Sequence, residues 1–403
     1  MVGTTVLLSC LSVALVPIPT APSQTPVAQV TEVEEPGEVF DKVISVLDRW
    51  YHDKTFLADV LPGLAAGLRE RAHAAPTPAA ERAVINELLA QMRTSHLALI
   101  SVEAYRLIGA ELFGKATPSF GMQLTLRDGR HHATWVYEGG PASLAGVKRG
   151  DEVLSIDGLP PARSSRLDWS TDDAALSDAA MHALHAETGD RIRLELKRRE
   201  GETLTVEIEA LPYSGAMAAE ASARIVESSG LRLGYVHFWY IQADAPSALL
   251  RSLLEDRFAA CDGLILDLRG RGGSAMEAMM IQRLLDLEKG IWGRPLVALT
   301  DRGTRSAKEV IAQKIQVAGI GKLVGERTAG AVVPAAFKEV GGGAVLMFPM
   351  GSLGKLTEQL EGKGVVPDVT VVDTLPYTAG ADPILEAGVR VLSADCVALE
   401  PGR

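Results

Sequence analysis

Ser306 stands where a strand signal gives way to a helix signal, with Glu309 three residues further on. A serine hydroxyl is a poor nucleophile until a base takes its proton. A helix N-terminus offers what such a serine would need beside it: backbone N–H groups without a partner inside the helix, able to stabilise a negatively charged oxygen. The N–H of Ala307 is the natural donor at this helix start. A second could come from Gly272 or Gly273, in the turn Gly270-Arg271-Gly272-Gly273, because glycine lets a backbone approach a substrate closely. The sequence leaves the choice between these two glycines open. Taken alone, a serine ahead of a helix is most often only an N-cap.

The elements that must position these residues alternate in the C-terminal half. Strand signals over 233–239, 263–268, 295–300 and 322–325 are separated by helical stretches, one of them opened by Pro246 and two covering 276–287 and 306–317. Strands separated by helices imply parallel pairing with right-handed crossovers. The N-terminal part reads differently. Val39, Val43, Val46, Leu47 and Trp50 recur at helical spacing, as do Leu57, Val60, Leu61 and Leu64, and then Val84, Leu88, Leu89 and Met92; this region closes on Thr94-Ser95-His96. Between the two, from Phe113, short strands alternate with Gly-rich turns, with a helix expected over 174–186.

Bulk properties exclude several classes. With 403 residues, 47% of them apolar and 23% charged, the chain is long enough for two or three cored domains and too apolar for global disorder. A formal net charge of -11 without a basic cluster argues against nucleic acid as a partner. Cys10, Cys261 and Cys396 form neither a disulfide framework nor a zinc-ligand spacing, so Cys261 and Cys396 read as buried free thiols. The other histidines, His131, His132, His182, His185 and His237, read as structural or surface residues, and no metal or organic cofactor is expected. Residues 6–16 are apolar and lead into a Pro/Ala/Thr/Ser-rich stretch, as in a secretory leader with a linker; the run is too short for a membrane span. The expectation is an extracytoplasmic, cell-envelope location.

The stretch 113–212 resembles a PDZ domain, most specifically from Gly139-Gly140-Pro141 to Asp157-Gly158. The resemblance implies that Ser119, Phe120, Gly121 and Met122 form the loop whose N–H groups hold the carboxylate of a peptide C-terminus. The peptide would add as a strand in a groove lined by Phe120, Met122 and Leu124, with Ala180 and Ala183 of the helix opposite.

The C-terminal part resembles the tail-specific (C-terminal-processing) serine peptidases of family S41. Leu266-Asp267-Leu268-Arg269-Gly270-Arg271-Gly272-Gly273, Gly303-Thr304-Arg305-Ser306-Ala307-Lys308-Glu309, Gly325-Glu326-Arg327-Thr328 and Glu361-Gly362-Lys363-Gly364-Val365-Val366-Pro367-Asp368 follow that family's segments in order. One branch carries a catalytic lysine after the third segment; here Thr328-Ala329-Gly330-Ala331 puts alanine there, which excludes a Ser–Lys dyad at that slot. The tricorn-like branch instead uses a histidine that follows a serine, and a glutamate, and this chain has Ser95-His96 and Glu361 at the matching places. The resemblance therefore implies Ser306 as nucleophile and His96 as base. Glu361 would orient the imidazolium directly or through an intermediate residue, and Ser95 would assist by hydrogen bonding. Leu97 and Arg305 depart from the small residues usual beside the histidine and the nucleophile.

The expected organisation is a leader and linker over 1–35, a helical segment carrying His96 over 36–112, a PDZ-like β-rich insertion over 113–212, and an α/β, crotonase/ClpP-like catalytic core over 213–403. The expected activity is peptide-bond hydrolysis of polypeptides selected through free C-termini, with the oligomeric state left open. The alternatives are an inactive peptide-binding scaffold and a dinucleotide-dependent oxidoreductase, the latter suggested only by Gly270-x-Gly272-x-x-Ala275 and Asp301.

Overall fold

A computed structural model describes residues 35–92, 94–170 and 180–398. Cys10, the expected leader and nearly all of the expected linker lie outside the described residues.

The chain opens with helices α1 (Glu38–Trp50), α2 (Lys54–Asp59), α3 (Leu61–His73) and α4 (Pro78–Gln91). Val39, Val43 and Leu47 of α1 recur every fourth residue and are buried on one stripe. The last of these helices starts cleanly because the Thr77 hydroxyl accepts from the Ala80 N–H and Pro78 fills the first turn. Strand β1 (Ala98–Ser101) follows, then α5 (Val102–Leu112).

The region expected to be PDZ-like comprises β2 (Thr117–Ser119), β3 (Met122–Arg127), β4 (Arg130–Val136), α6 (Pro141–Leu144), β5 (Glu152–Ile156), β6 (Leu167–Ser170), β7 (Ala180–Leu184), β8 (Arg191–Arg199), β9 (Glu202–Glu209) and β10 (Leu211–Tyr213). Seven of these strands form one sheet in the order β6-β7-β3-β4-β5-β8-β9, around Phe120, Leu124, Ile156, Leu194 and Leu196.

Here the expected helix over 174–186 is corrected: 180–184 is a strand, antiparallel to β3 with Gln123 opposite Ala183 and Leu126 opposite Ala180, while 171–179 lie outside the described residues. A helix would set Met181 and Leu184 on one face, whereas a strand sends them to opposite faces. Both faces have apolar partners: Leu184 joins the PDZ core and Met181 joins Trp135, Tyr137 and Trp239. Packing on two sides overrides the helical propensity of this Ala- and Leu-containing stretch.

The remainder builds the α/β core: α7 (Gly215–Ser222), β11 (Arg224–Ser228), β12 (Leu231–His237), α8 (Pro246–Glu255), β13 (Gly263–Asp267), α9 (Ala275–Leu284), β14 (Leu296–Thr300), α10 (Ala307–Val317) and β15 (Lys322–Gly325). Then come the hairpin β16 (Ala335–Gly341) and β17 (Ala344–Pro349), α11 (Lys355–Leu360), β18 (Val369–Thr370) and α12 (Pro383–Ala398). The sheet order is β11-β12-β13-β14-β15-β18, parallel from β12 onward. Every residue of β13 and β14 is buried, as a parallel sheet covered on both faces requires. One face packs on Ile384, Ala387 and Leu392 of α12, the other on helices contributing Leu250, Ile281 and Ile311. Cys261 and Cys396 are free and buried.

Two joints position the site. The turns after β13 and β14, at the carboxyl ends of adjacent parallel strands, carry Arg269–Gly273 and Ser306; in open α/β sheets ligands bind at such ends. The second joint brings in the N-terminal helices. Strand β1 pairs antiparallel with β17, Ala98 opposite Met347 and Ser101 opposite Ala344. Phe40, Leu47, Leu88 and Leu89 share a core with Val340, Leu346 and Phe348 of the hairpin. Each such side chain stabilises by about 1.5–3 kcal/mol when buried. Closing a long loop costs an entropy that grows only with the logarithm of its length. Burial wins, and His96, two residues before β1, is carried to the C-terminal part of the chain.

Candidate active site

Ser306 caps α10 in an unusual way. The N-cap residues Ser101, Ser214 and Ser274 have extended backbones, and their hydroxyls accept from the N–H three residues on. Ser306 instead has φ 55° and ψ -124°, a sparsely populated conformation for a non-glycine residue. Such strain persists only where surrounding structure enforces it. The enforcement is visible. The Ser306 N–H donates to the Ala331 carbonyl at 2.8 Å and to the Glu309 carboxylate at 3.1 Å. The fully buried Glu309 also accepts from the Thr328 hydroxyl at 2.5 Å and from the Gly330 and Ala331 N–H groups at 2.8 Å each. Burial pushes the Glu309 carboxyl up and these donors oppose the shift.

The predicted site residues from the other end of the chain meet this turn through Glu361. One carboxylate oxygen accepts from the Val332 and Val333 N–H groups at 3.0 and 3.3 Å, and the other accepts from the Ser95 N–H at 2.8 Å. The Ser95 hydroxyl lies 2.9 Å from Nδ1 of His96, with both residues buried. A continuous path therefore runs from Ser306 through Ala331 and Val332 to Glu361, Ser95 and His96. Ser95 thus meets Glu361 through its N–H and His96 through its hydroxyl. Like Ser306, His96 has positive φ, 55°. Ala331, at the slot where one branch of the family carries lysine, is fully buried.

The glycine turn lies against Ser306. A Cβ added to Gly272 would fall 2.6 Å from the Ser306 Cβ, and one added to Gly273, whose φ is 142°, would fall 2.1 Å from the Ile241 carbonyl oxygen. These glycines are accounted for by close approach within the chain, and the dinucleotide reading loses its motif. The Ser306 N–H is already committed to the Ala331 carbonyl and the Glu309 carboxylate.

Behind the turn is a charged cluster that sequence reasoning missed. The buried Arg269 guanidinium pairs with Asp267 and with both oxygens of Asp382, at 2.8 and 2.7 Å. Burial works to raise the Asp267 and Asp382 carboxyls, but Arg269 overrides it and holds both below the usual carboxylate range. The Lys308 ammonium, fully buried, donates to the carbonyls of Phe238, of Trp239 at 3.0 Å and of Arg269 at 2.9 Å. Burial pushes it down to about 7. His237, which reads from sequence as one more structural histidine, contacts Glu138 and the Arg269 carbonyl at 2.9 and 3.2 Å. The available signal was a lysine two residues past Ser306, which on a helix faces away from its neighbour's side chain. Among the described residues no group of three or more His, Cys, Asp or Glu side chains could hold a metal ion.

The loop over 119–122 is tied down by bonds within the chain. The Ser119 hydroxyl accepts from the Gly121 N–H at 2.9 Å, and the Phe120 carbonyl accepts from Ala142 at 2.9 Å. Phe120, Met122 and Leu124 are buried, and the free edge of β3 expected for a peptide is taken by β7.

Comparison with known proteins agrees with this architecture. A family model for peptidase family S41 matches residues 283–371, and one for the PDZ domain matches 132–175. The carboxyl-terminal-processing protease of Picosynechococcus sp. is 25% identical over 311 residues, 71% of this chain and 72% of that protein. The C-terminal processing peptidase of Tetradesmus obliquus is 28% identical over 48% of this chain and 46% of its own length. The putative tricorn protease homolog 2 of Streptomyces coelicolor is 24% identical over 76% of this chain but only 28% of its own length. Among solved structures, the photosystem II D1 C-terminal processing protease superposes with a TM-score of 0.54 at 21% identity, over 90% of this chain and 99% of that one. The tricorn protease superposes at 0.51 with 17% identity, over 90% of this chain and 37% of that one. With segments like those of the S41 peptidases in order and an α/β core behind them, the chain is similar to the serine peptidases of family S41 over its C-terminal part and carries a stretch that matches a PDZ domain.

Proposed function

We propose that the chain cleaves polypeptides through an acyl-enzyme on Ser306, with His96 as general base, Ser95 and Glu361 as positioning residues, and the N–H groups of Ala307 and of Gly272 or Gly273 as oxyanion donors. The Ser306 hydroxyl attacks the scissile carbonyl carbon while its proton passes to His96. With Nδ1 engaged by Ser95, Nε2 is the ring nitrogen that exchanges this proton. The tetrahedral intermediate collapses, the C–N bond breaks, and the imidazolium gives its proton to the leaving amine. Water then hydrolyses the Ser306 ester by the same route. The observation that carries this reading is the hydrogen-bonded path from Ser306 through Ala331, Val332, Glu361 and Ser95 to His96, which joins residues more than two hundred positions apart.

The PDZ domain serves substrate choice. The loop Ser119-Phe120-Gly121-Met122 takes the terminal carboxylate, and the chain adding along β3 does so by displacing β7. The apolar leader directs the protein out of the cytoplasm.

The test is hydrolysis of an unfolded polypeptide, together with labelling by a fluorophosphonate probe, in wild type, Ser306→Ala and His96→Ala. Wild type cleaves and labels, Ser306→Ala does neither, and His96→Ala labels slowly. A wild-type protein that neither cleaves nor labels overturns the reading.

A further inference from the structure

The Arg269 carbonyl opens the glycine turn that packs on Ser306, and two basic side chains converge on it. Lys308 donates at 2.9 Å and Nε2 of His237 lies at 3.2 Å. The other nitrogen of His237, Nδ1, lies 2.9 Å from one oxygen of Glu138, whose second oxygen accepts from the Trp239 indole N–H at 2.6 Å. A carboxylate and a carbonyl can only accept, so an imidazole placed between them must donate from both nitrogens, which only the imidazolium does. By the same count, the three carbonyls around Lys308 call for three N–H donors, which only the ammonium supplies.

The rest of the turn is zipped to the segment after β12. The Arg271 N–H donates to the Trp239 carbonyl, the Ile241 N–H to the Gly272 carbonyl, and the Ser274 N–H to the Ile241 carbonyl, at 3.1, 3.0 and 2.7 Å. His237 ends β12 and lies against Trp239, with ring centroids 4.0 Å apart and planes tilted by 42°. Glu138 belongs to the PDZ region, in the turn before α6.

We propose that His237 and Lys308 are positioning residues for the hydrolysis, two cations that share the Arg269 carbonyl and fix the 269–273 turn against Ser306, with the PDZ residue Glu138 holding His237 in its charged form. The proposal rests on the serine-peptidase reading of Ser306. It makes the docked position of the PDZ domain a condition for a well-formed oxyanion site. A turn displaced by about 1 Å loses on the order of a hundredfold in rate.

The charged groups facing His237 are Glu138 from the PDZ region, Asp267 at 3.9 Å from the end of β13, and the Arg269 guanidinium. Burial works against the charge on His237, but Asp267 and Glu138 outweigh burial and the opposing Arg269, and the imidazole is raised above its ordinary range. A cavity of about 440 Å³ bounded by Glu138, His237, Trp239, Arg269, Tyr235 and Asp382 gives protons a route to it. The charge is present below the folded-state pKa and is lost as pH rises through it, so the latch predicts a basic limb in kcat. Removing Glu138 takes away a raising carboxylate and moves that limb to lower pH.

The experiment uses the full chain with Glu138→Gln, His237→Gln and Lys308→Met. Hydrolysis of an unfolded polypeptide is followed across pH, alongside fluorophosphonate labelling and hydrogen exchange of the peptide covering 269–273. Glu138 is only partly buried and the glutamine keeps an acceptor for Trp239, so this variant retains its fold. The expected result for Glu138→Gln is a kcat reduced roughly ten- to a hundredfold near pH 8, KM within about twofold, a basic limb displaced to lower pH, and faster exchange at 269–273. His237→Gln removes the imidazole's share of the limb and leaves the share set by Lys308, whose ammonium burial has pushed down to about 7. Lys308→Met lowers kcat and speeds exchange in the same turn. An unchanged limb and unchanged exchange in Glu138→Gln overturn the proposal, as does a loss of melting temperature without either change, which would assign the cluster a merely structural role. Should the wild type neither cleave nor label, the peptidase reading fails by itself, and exchange at 269–273 still decides whether the latch holds the turn.

Discussion

Ser95→Ala isolates one bond of the proposed catalytic path. It deletes the hydroxyl 2.9 Å from Nδ1 of His96 and leaves the Ser95 N–H on Glu361, so the backbone path to Ser306 survives. Only an interaction stronger in the transition state than in the ground state affects kcat. A hydrogen bond between neutral partners contributes about 0.5–1.5 kcal/mol net, and one to a charged partner about 1.5–3 kcal/mol. The difference as the imidazole becomes imidazolium is about 1–1.5 kcal/mol. That predicts a kcat lower by roughly five- to fifteenfold, with KM little changed. Ser95 is fully buried, so Nδ1 cannot recruit water easily; leaving it unpaired costs about 1–3 kcal/mol of stability. The assay is steady-state hydrolysis of a fluorogenic polypeptide with urea unfolding in parallel. A kcat within twofold of wild type would show that the hydroxyl does not act on the base. A loss as deep as that of Ser306→Ala would show that Ser95 takes part in the chemistry and is more than a support.

Three further outcomes follow from packing and charge. Gly272→Ala places a methyl 2.6 Å from the Ser306 Cβ and 3.0 Å from the Arg305 carbonyl oxygen, so kcat should fall by on the order of a hundredfold while the protein remains folded, read by kinetics and circular dichroism. Arg269→Met strips Asp267 and Asp382 of their guanidinium and should cost about 3–5 kcal/mol in urea unfolding at neutral pH. Both carboxyls are depressed in the folded state, so the stability they contribute is present above the ordinary carboxylate range and lost as pH falls through their folded values; in the variant that loss begins in milder acid. His182→Pro disrupts β7 where it pairs with Leu124, and should raise affinity for a peptide with a free C-terminus, measured by fluorescence anisotropy; unchanged or weaker binding would mean that β7 does not compete with peptide.

Much of this protein is legible from sequence because the signals are local. The stripe Val39, Val43, Leu47 gives a helix, the apolar runs 263–267 and 296–300 give buried strands, and the segments around Gly272, Ser306 and Glu361 carry their order with them. Only the tertiary structure decided the rest. Residues 180–184 form a strand because both of its faces meet apolar partners, which no local propensity records. His96 reaches the α/β core because β1 pairs with β17, roughly two hundred and fifty positions away, and Glu361 meets both Ser95 and the Ser306 turn because it accepts from the Ser95 and Val332 N–H groups. His237 and Lys308 look ordinary in sequence. Burial beside carbonyls and carboxylates contributed by distant strands is what gives their charges a task, and that environment exists only once the chain has folded.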